Sequence, residues 1–243
     1  MRLASISVDL DEIPNYFHIH GLPEPEGEVR SLVYRVAIQR LIDFAASEKI
    51  PLTLFAIGSD LTTDENRAFL KKAHSLGHEI ANHSLDHLYD FSRRDQNEIK
   101  RQIVGGAEAI QNAVGVAPVG FRAPGYTVSE GVFQALEELG YTYDSSVFPC
   151  PSYFAAKTAA ICAIALQGRT SHSVVDTPLV LTAPTVPYRI GSPYYRRGEG
   201  MLEIPNQVTR GLRLPFIGTS VVLAKERAAW LARMCAGDPL LNL

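Results

Sequence analysis

The hydrophobic positions of this chain change period repeatedly. Leu3-Ala4-Ser5-Ile6-Ser7-Val8-Asp9 is short, partly alternating and β-branched, which predicts a first strand. Residues 12–28 hold three prolines and two glycines and predict a long loop. From Leu32 to Ser47 the apolar positions Leu32, Val36, Leu41, Ile42 and Ala45 share one side of a helix. Pro51 to Ile57 is a wholly apolar second strand. Asp64 to Leu76 predicts a helix ended by Gly77, and His78 to Ala81 a third strand. Arg94 to Val114 reads as a long polar-faced helix and Val119 to Arg122 as a fourth strand. Ser129 caps a helix that runs through Leu139, and Tyr141 to Asp144 is a fifth strand.

Short buried strands alternating with helices are the mark of parallel βα units. A closed or nearly closed βα barrel is the natural reading, with a doubly wound open sheet as the alternative. After Asp144 the pattern weakens. Tyr153 to Leu166 is an alanine-rich helix. Residues 178–200, rich in proline and glycine, predict a long functional loop. Tyr188, Tyr194 and Tyr195 alternate there with Arg189, Arg196 and Arg197, so Tyr188 and Arg189 are candidate substrate contacts. Met201 to Pro205 predicts a strand and Ala224 to Ala236 a last helix. Pro239 to Leu243 starts like an apolar strand and stops.

Composition narrows the function. The 243 residues make one domain, 1–243, with no internal repeat. A net charge of -3 gives no reason to expect nucleic acid or an anionic membrane. Three widely spaced cysteines, Cys150, Cys162 and Cys235, suggest neither a disulfide framework nor a metal knuckle, and the expected compartment is the reducing cytoplasm. No signal peptide is evident, and the apolar run from Ala155 to Leu166 is interrupted by Lys157 and too short to span a bilayer.

The chemistry gathers at strand ends. His83 and His87 are four residues apart, which on a helical turn stacks both imidazoles on one face. Two neutral imidazoles at that spacing are half of a transition-metal site, although a polar helix start with exposed histidines has the same sequence. Asp9 and Asp11 lie two apart in an extended chain, so both carboxylates can face one site. Arg122 follows the fourth strand and Asp144 ends the fifth. In βα barrels the C-terminal strand ends are where active sites form. One carboxylate and two histidines make a facial triad with open positions. A second carboxylate can then take a proton from metal-bound water, whose pKa falls from ~16 to ~7.

The ordered motifs Asp9-Leu-Asp11, Gly77-His-Glu-Ile-Ala-Asn-His83-Ser-Leu-Asp-His87, Arg122-Ala-Pro-Gly125 and Asp144-Ser-Ser resemble the polysaccharide deacetylases (the NodB homology domain). The resemblance covers residues 5–150 well and 175–210 loosely. It implies an α/β fold, a distorted and incomplete (β/α) barrel. It makes Asp9 the general base and Asp11, His83 and His87 the ligands of one divalent metal, with zinc expected. Arg122 orients the base and Asp144 supports that network. Pro124, Gly125 and Tyr126 are candidate substrate contacts, and His78 is a structural histidine. The implied reaction is removal of an acetyl or formyl group from nitrogen by metal-bound water. The implied substrate is an N-acylated sugar, a lipid-linked sugar or a small amide, and the oligomeric state stays open.

Two features depart from the family pattern. Its usual opening has adjacent acids, whereas Asp9-Leu10-Asp11 resembles an intracellular branch with amide hydrolases, deformylases and some peptidoglycan deacetylases. The family also ends in a strand bearing Leu-x-His, whose histidine protonates the leaving amine. Leu241-Asn242-Leu243 resembles the opening of that strand without the histidine, so the expectation is a chain lacking its final strand and impaired in activity. His172 is a remote substitute. Two other readings compete. Ile6-Ser-Val-Asp9-Leu-Asp11 resembles the first strand of haloacid-dehalogenase-like phosphatases, which would leave His83, His87 and Arg122 without a role. The other is a non-catalytic barrel that binds metal and sugar.

Overall fold

The computed structural model describes residues 3–243. The first predicted strand is two: β1, Leu3–Ser5, and β2, Ser7–Asp9. They separate because the chain changes partner at Ile6. β2 pairs in parallel with β3, Thr53–Ala56, whereas β1 pairs in parallel with the last strand. Next come β4, Glu79–Asn82; β5, Gly120–Phe121; β6, Tyr143–Asp144; β7, Tyr188–Ile190; β8, Arg197–Glu203; and β9, Leu240–Asn242. Among the described residues one sheet runs in the order β2-β3-β4-β5-β6-β8-β7 and a second holds β1 and β9. Every pairing is parallel except β7 with β8. The fold is α/β with an incomplete barrel, as the strand–helix alternation predicts.

The crossover helices form where their caps and periodicity place them. Helix α1 is Ile13–Ile19, α2 is Ile38–Glu48 and α3 is Asp64–Ser75, the last capped by the Thr63 hydroxyl. Helix α4, Gln96–Val114, starts at Asp95, whose carboxylate accepts from the Asn97 and Glu98 amides. It ends at Gly115 with φ 86°. Helix α5, Glu130–Glu138, is capped by Ser129. Helix α6 is Pro151–Leu166, α7 is Gly218–Ala224 and α8 is Ala228–Met234. Two apolar clusters lie between sheet and helices. One joins Leu10, Tyr34, Ile42, Leu54 and Leu70 under α2 and α3; the other joins Phe91, Ile103, Phe121, Phe133 and Leu136 under α4 and α5.

Four expectations change. Residues 12–28 contain α1, because Pro14 sits in the first helical turn, where its missing N–H costs nothing. The stretch 178–200 is not one loop: it supplies β7 and the start of β8. Its apolar Tyr188 and Ile190 alternate with Arg189 and are buried on one face of that edge hairpin. The last helix is broken into α7 and α8 at Lys225, which has φ 49°.

The fourth concerns the end of the chain. Leu240–Asn242 is a formed strand, where the sequence reading has only an opening, and its residues pair with Leu3, Ala4 and Ser5. The first-to-last edge expected to stand open is therefore paired along these three residues. The barrel is not closed by a continuous ladder. Asn242 bridges the gap instead: its amide nitrogen lies 3.1 Å from the Pro205 carbonyl and 3.2 Å from that of Ile204. Its side-chain oxygen accepts from the Ser5 hydroxyl at 2.8 Å, and its own carbonyl accepts from the Gln207 amide.

Candidate metal centre and active site

Strand β4 delivers His83, and an irregular turn delivers His87. The histidines are not on a helix. Ser84 and His87 have φ 67° and 50°, so the chain folds back on itself after β4. Polar groups hold the turn. Asn82 Oδ1 accepts from the Ser84 amide at 3.0 Å and Ser84 Oγ from the His87 amide at 3.1 Å. The Asn82 amide nitrogen donates to the Ile103 carbonyl at 2.8 Å, tying the turn to α4. Gly106 permits this approach: a Cβ there would overlap Asn82 Oδ1 and lie 2.9 Å from the Ser84 carbonyl carbon. The spacing of the two histidines thus meets in one site through tertiary packing rather than helical geometry, with ring centroids 4.8 Å apart.

Asp11 comes from the segment between β2 and α1. Its neighbour Glu12 fixes that segment, accepting from the Val33 amide at 3.1 Å and the Tyr34 amide at 2.9 Å. Asp11 Oδ1 lies 3.4 Å from His83 Nε2 and 3.3 Å from His87 Nε2, and the two ring nitrogens are 3.2 Å apart.

These three groups fit a divalent cation. His83 Nδ1 is 2.6 Å from the Arg122 carbonyl, a distance that makes Nδ1–H the donor and leaves the Nε2 lone pair free. Burial pushes the His87 pKa down to about 4, so its imidazole is neutral, the ligating form. Asp11 Oδ1 is buried without a hydrogen-bond partner. Three lone pairs meeting at such distances repel unless something positive lies among them. For His83, burial works against protonation, but the Asp9 and Asp11 carboxylates outweigh it and raise the pKa, so the site as a whole attracts positive charge.

Asp9 stands beside the triad on a separate set of partners. Arg122 Nη1 donates to Asp9 Oδ1 at 2.7 Å, and the Tyr126 hydroxyl donates to Oδ2 at 2.9 Å. Burial alone would raise the Asp9 pKa; the Arg122 charge, His83 and these hydrogen bonds hold it below the usual carboxylate value. Arg122 is itself fixed. It donates to Ser7 Oγ at 2.8 Å, Ser145 Oγ at 2.9 Å and the Ser145 carbonyl at 2.8 Å, and it lies 4.1 Å from the centre of the Phe55 ring.

Asp144 is fully buried below this layer and does not reach the cavity. It accepts from the Ser146 amide and hydroxyl and is hydrogen-bonded to Glu203, its register partner on β8. Burial raises both carboxyl pKa values, that of Glu203 well above the ordinary range, with the nearby Asp144 charge adding to it.

A cavity of about 470 Å³ opens over Asp9, Asp11, His83 and Arg122. Gly125 and Tyr126 line it, whereas Pro124 is buried at the start of the same turn. Tyr188 and Arg189 do not line it. Tyr188 is buried and donates to the Tyr194 carbonyl, and Arg189 is exposed and donates to the Gly200 carbonyl. His172 stacks on His18 with centroids 5.5 Å apart and is not a cavity residue, although its neighbour Ser173 is. His78 is buried, and its Nδ1 accepts from the Leu52 amide at 3.1 Å. Sequence reasoning passed over Glu203, which sits in an apolar run, and Lys157, which reaches the cavity from α6.

Comparison with known proteins gives a consistent result. Residues 33–143 match the family model for polysaccharide deacetylase. The chain is 30% identical over 130 residues to a peptidoglycan-N-acetylglucosamine deacetylase of Bacillus cereus, covering 54% of this chain and 57% of that one. It is 24% identical over 147 residues to a peptidoglycan deacetylase of Helicobacter pylori, covering 60% and 49%. The chain therefore spans about half the length of these curated relatives. A solved structure from Mycobacterium smegmatis, assigned to the polysaccharide deacetylases, superposes with a TM-score of 0.63 at 19% identity, covering 99% of this chain and 75% of that one, which relates the folds. No helix among the described residues is long and apolar enough to cross a membrane. Residues 33–143, which hold His83, His87 and Arg122, are thus similar to the family that the sequence motifs resemble.

Proposed function

We propose that this protein is a metal-dependent hydrolase that removes an N-acyl group from an N-acylated sugar or a related amide. One observation carries the reading: the lone pairs of Asp11, His83 and His87 converge beside an arginine-paired Asp9 at the floor of one cavity. A divalent cation supplies Lewis acidity and lowers the pKa of water to ~7. The two-nitrogen, one-oxygen donor set suits zinc. Asp9, ionised and held by Arg122 and Tyr126, takes the proton of the attacking water. Arg122 keeps Asp9 charged and in place. Asp144, Glu203 and Ser145 hold the layer beneath Arg122. Gly125 and Tyr126 form the cavity wall against which the acylated ring lies.

The names of the B. cereus and H. pylori relatives support a peptidoglycan-type N-acetylated sugar as substrate. The three free thiols support a reducing, cytoplasmic setting. The phosphatase alternative is disfavoured because Asp9, its nucleophile, is tied to Arg122 and Tyr126 and would leave the histidine pair idle.

The test is acetate release from N-acetylglucosamine oligomers and from peptidoglycan by zinc-loaded protein, with a phosphomonoester as control. Acetate release that stops on chelation and returns with zinc is expected. Phosphate release with magnesium alone would favour the phosphatase. Metal binding without any acyl release from a panel of N-acyl sugars and amides would favour the non-catalytic barrel.

A further inference from the structure

Lys157 has no part in the reaction described above. It is the single charged residue of α6, a helix otherwise made largely of alanine and other apolar residues. Lys157 is half-buried and lines the cavity over Asp9 and Asp11, and its Nζ donates to the Gly125 carbonyl at 2.7 Å. An ammonium has three donors, and this bond uses one. Among the described residues no carboxylate lies within 4.0 Å of Nζ to neutralise it. The acid whose field it feels is Asp176, and that carboxylate accepts from the Tyr194 hydroxyl at 2.6 Å and the Thr177 amide at 2.6 Å. Arg122, the other cation in the cavity wall, is consumed by Asp9.

The position of Lys157 relative to the triad is set by two neighbours. Tyr89 packs edge-on against His87, with centroids 4.6 Å apart. A Cβ on Gly125 would lie 3.2 Å from the Tyr89 ring and 3.4 Å from Lys157 Nζ. The Tyr89 ring and Gly125 therefore lie between His87 and the ammonium. Lys157 is the cation of this wall that no carboxylate holds, so its end of the cavity attracts anions.

Resting on the N-acyl hydrolase reading, we infer that Lys157 forms a subsite for an anionic substituent, a carboxylate or a phosphate, carried by the substrate on the side away from the reacting amide. The subsite orients the substrate: the ammonium takes the anion with its two remaining donors, while Arg122 is already held by Asp9. Burial pulls the Lys157 pKa down to about 8, so the group is mostly charged at neutral pH but incompletely compensated, and an arriving anion restores that compensation. A charge-assisted hydrogen bond of this kind is worth roughly ten- to a hundredfold in binding.

The test compares kcat/KM for N-acetylglucosamine 6-phosphate, N-acetylmuramic acid and unmodified N-acetylglucosamine in the zinc-loaded protein. At least one anionic substrate should be favoured over the neutral one by roughly tenfold or more. Lys157→Met should bring that ratio towards one, and Lys157→Arg should keep most of it. Whether the phosphate, the carboxylate or both lose their advantage identifies the group recognised. Calorimetric binding of glucosamine 6-phosphate, muramic acid and glucosamine, which carry no acyl group, gives the same ratios without turnover. If nothing is hydrolysed but the anionic amines bind better through Lys157, the hydrolase reading fails and the subsite stands. If wild type shows no anionic preference, or Lys157→Met keeps it while folded by circular dichroism, the subsite is wrong.

Discussion

Arg122 and Asp9 form a largely buried ion pair in which Nη1 donates to Oδ1 at 2.7 Å, and Asp9 keeps its second oxygen for the Tyr126 hydroxyl. Three further Arg122 donors go to Ser7 and Ser145 and hold the guanidinium in place. The two carboxylates Asp9 and Asp11 are thereby separated in role. One is neutralised by a fixed cation, and the other is left with an orphaned oxygen facing two imidazole nitrogens.

From this division Asp9→Asn should abolish most turnover and leave the metal in place. The amide still accepts from Arg122 but takes no proton from water. The expected loss in kcat is ~10²–10⁴-fold, the usual range for a missing general base. Zinc content measured on the same preparation should stay at the wild-type value; its loss would make Asp9 a ligand.

The Glu203–Asp144 pair makes stability depend on pH. The Glu203 carboxyl has its folded pKa raised well above its ordinary 4.5, chiefly by burial and then by Asp144. Its contribution is fully present below pH 4.5 and is lost as pH rises through the folded value, because the unfolded chain ionises first. Glu203→Gln, a neutral donor at every pH, should flatten the fall in denaturant midpoint between pH 5 and 8. Glu203→Ala should lower the unfolding free energy at all pH values, by about 2–4 kcal/mol for a truncated buried side chain. An unchanged slope in Glu203→Gln would show that the titrating proton is not on this pair.

Gly106→Ala tests how the histidine turn is held. The added methyl meets Asn82 Oδ1 and the Ser84 carbonyl, both parts of the turn that carries His87. A destabilisation of about 1–3 kcal/mol is expected from such overpacking. Zinc affinity should fall with it, since the displaced turn carries His87, a proposed ligand. Chelator competition and thermal unfolding on one preparation would read both; a thermal shift with unaltered zinc affinity would uncouple turn from site.

Much of this was legible in the sequence, for reasons that differ from residue to residue. The strands β2 to β6 announced themselves as short apolar runs, and Asp9, His83, Arg122 and Asp144 follow or end them. His83 and His87 lie side by side, with Nε2 atoms 3.2 Å apart, but not through the helical geometry that their spacing suggests. Ser84 and His87 have positive φ in a turn held locally by Asn82 and, from afar in sequence, by Gly58 and α4. Tyr188 and Arg189 looked like a binding loop because proline and glycine surround them. Their alternating burial belongs to an edge hairpin, and the period was hidden by its bulge. Lys157 seemed only to interrupt an apolar helix, and nothing local revealed that Gly125 would bring a carbonyl to its ammonium.

Metal stoichiometry of His87→Ala beside wild type is the most direct test of the account. After zinc loading and desalting, elemental analysis should give about one zinc per wild-type chain and near none for His87→Ala, because removal of one of three converging donors leaves too few ligands. One zinc retained by folded His87→Ala at wild-type affinity would contradict the site on which the proposed chemistry rests.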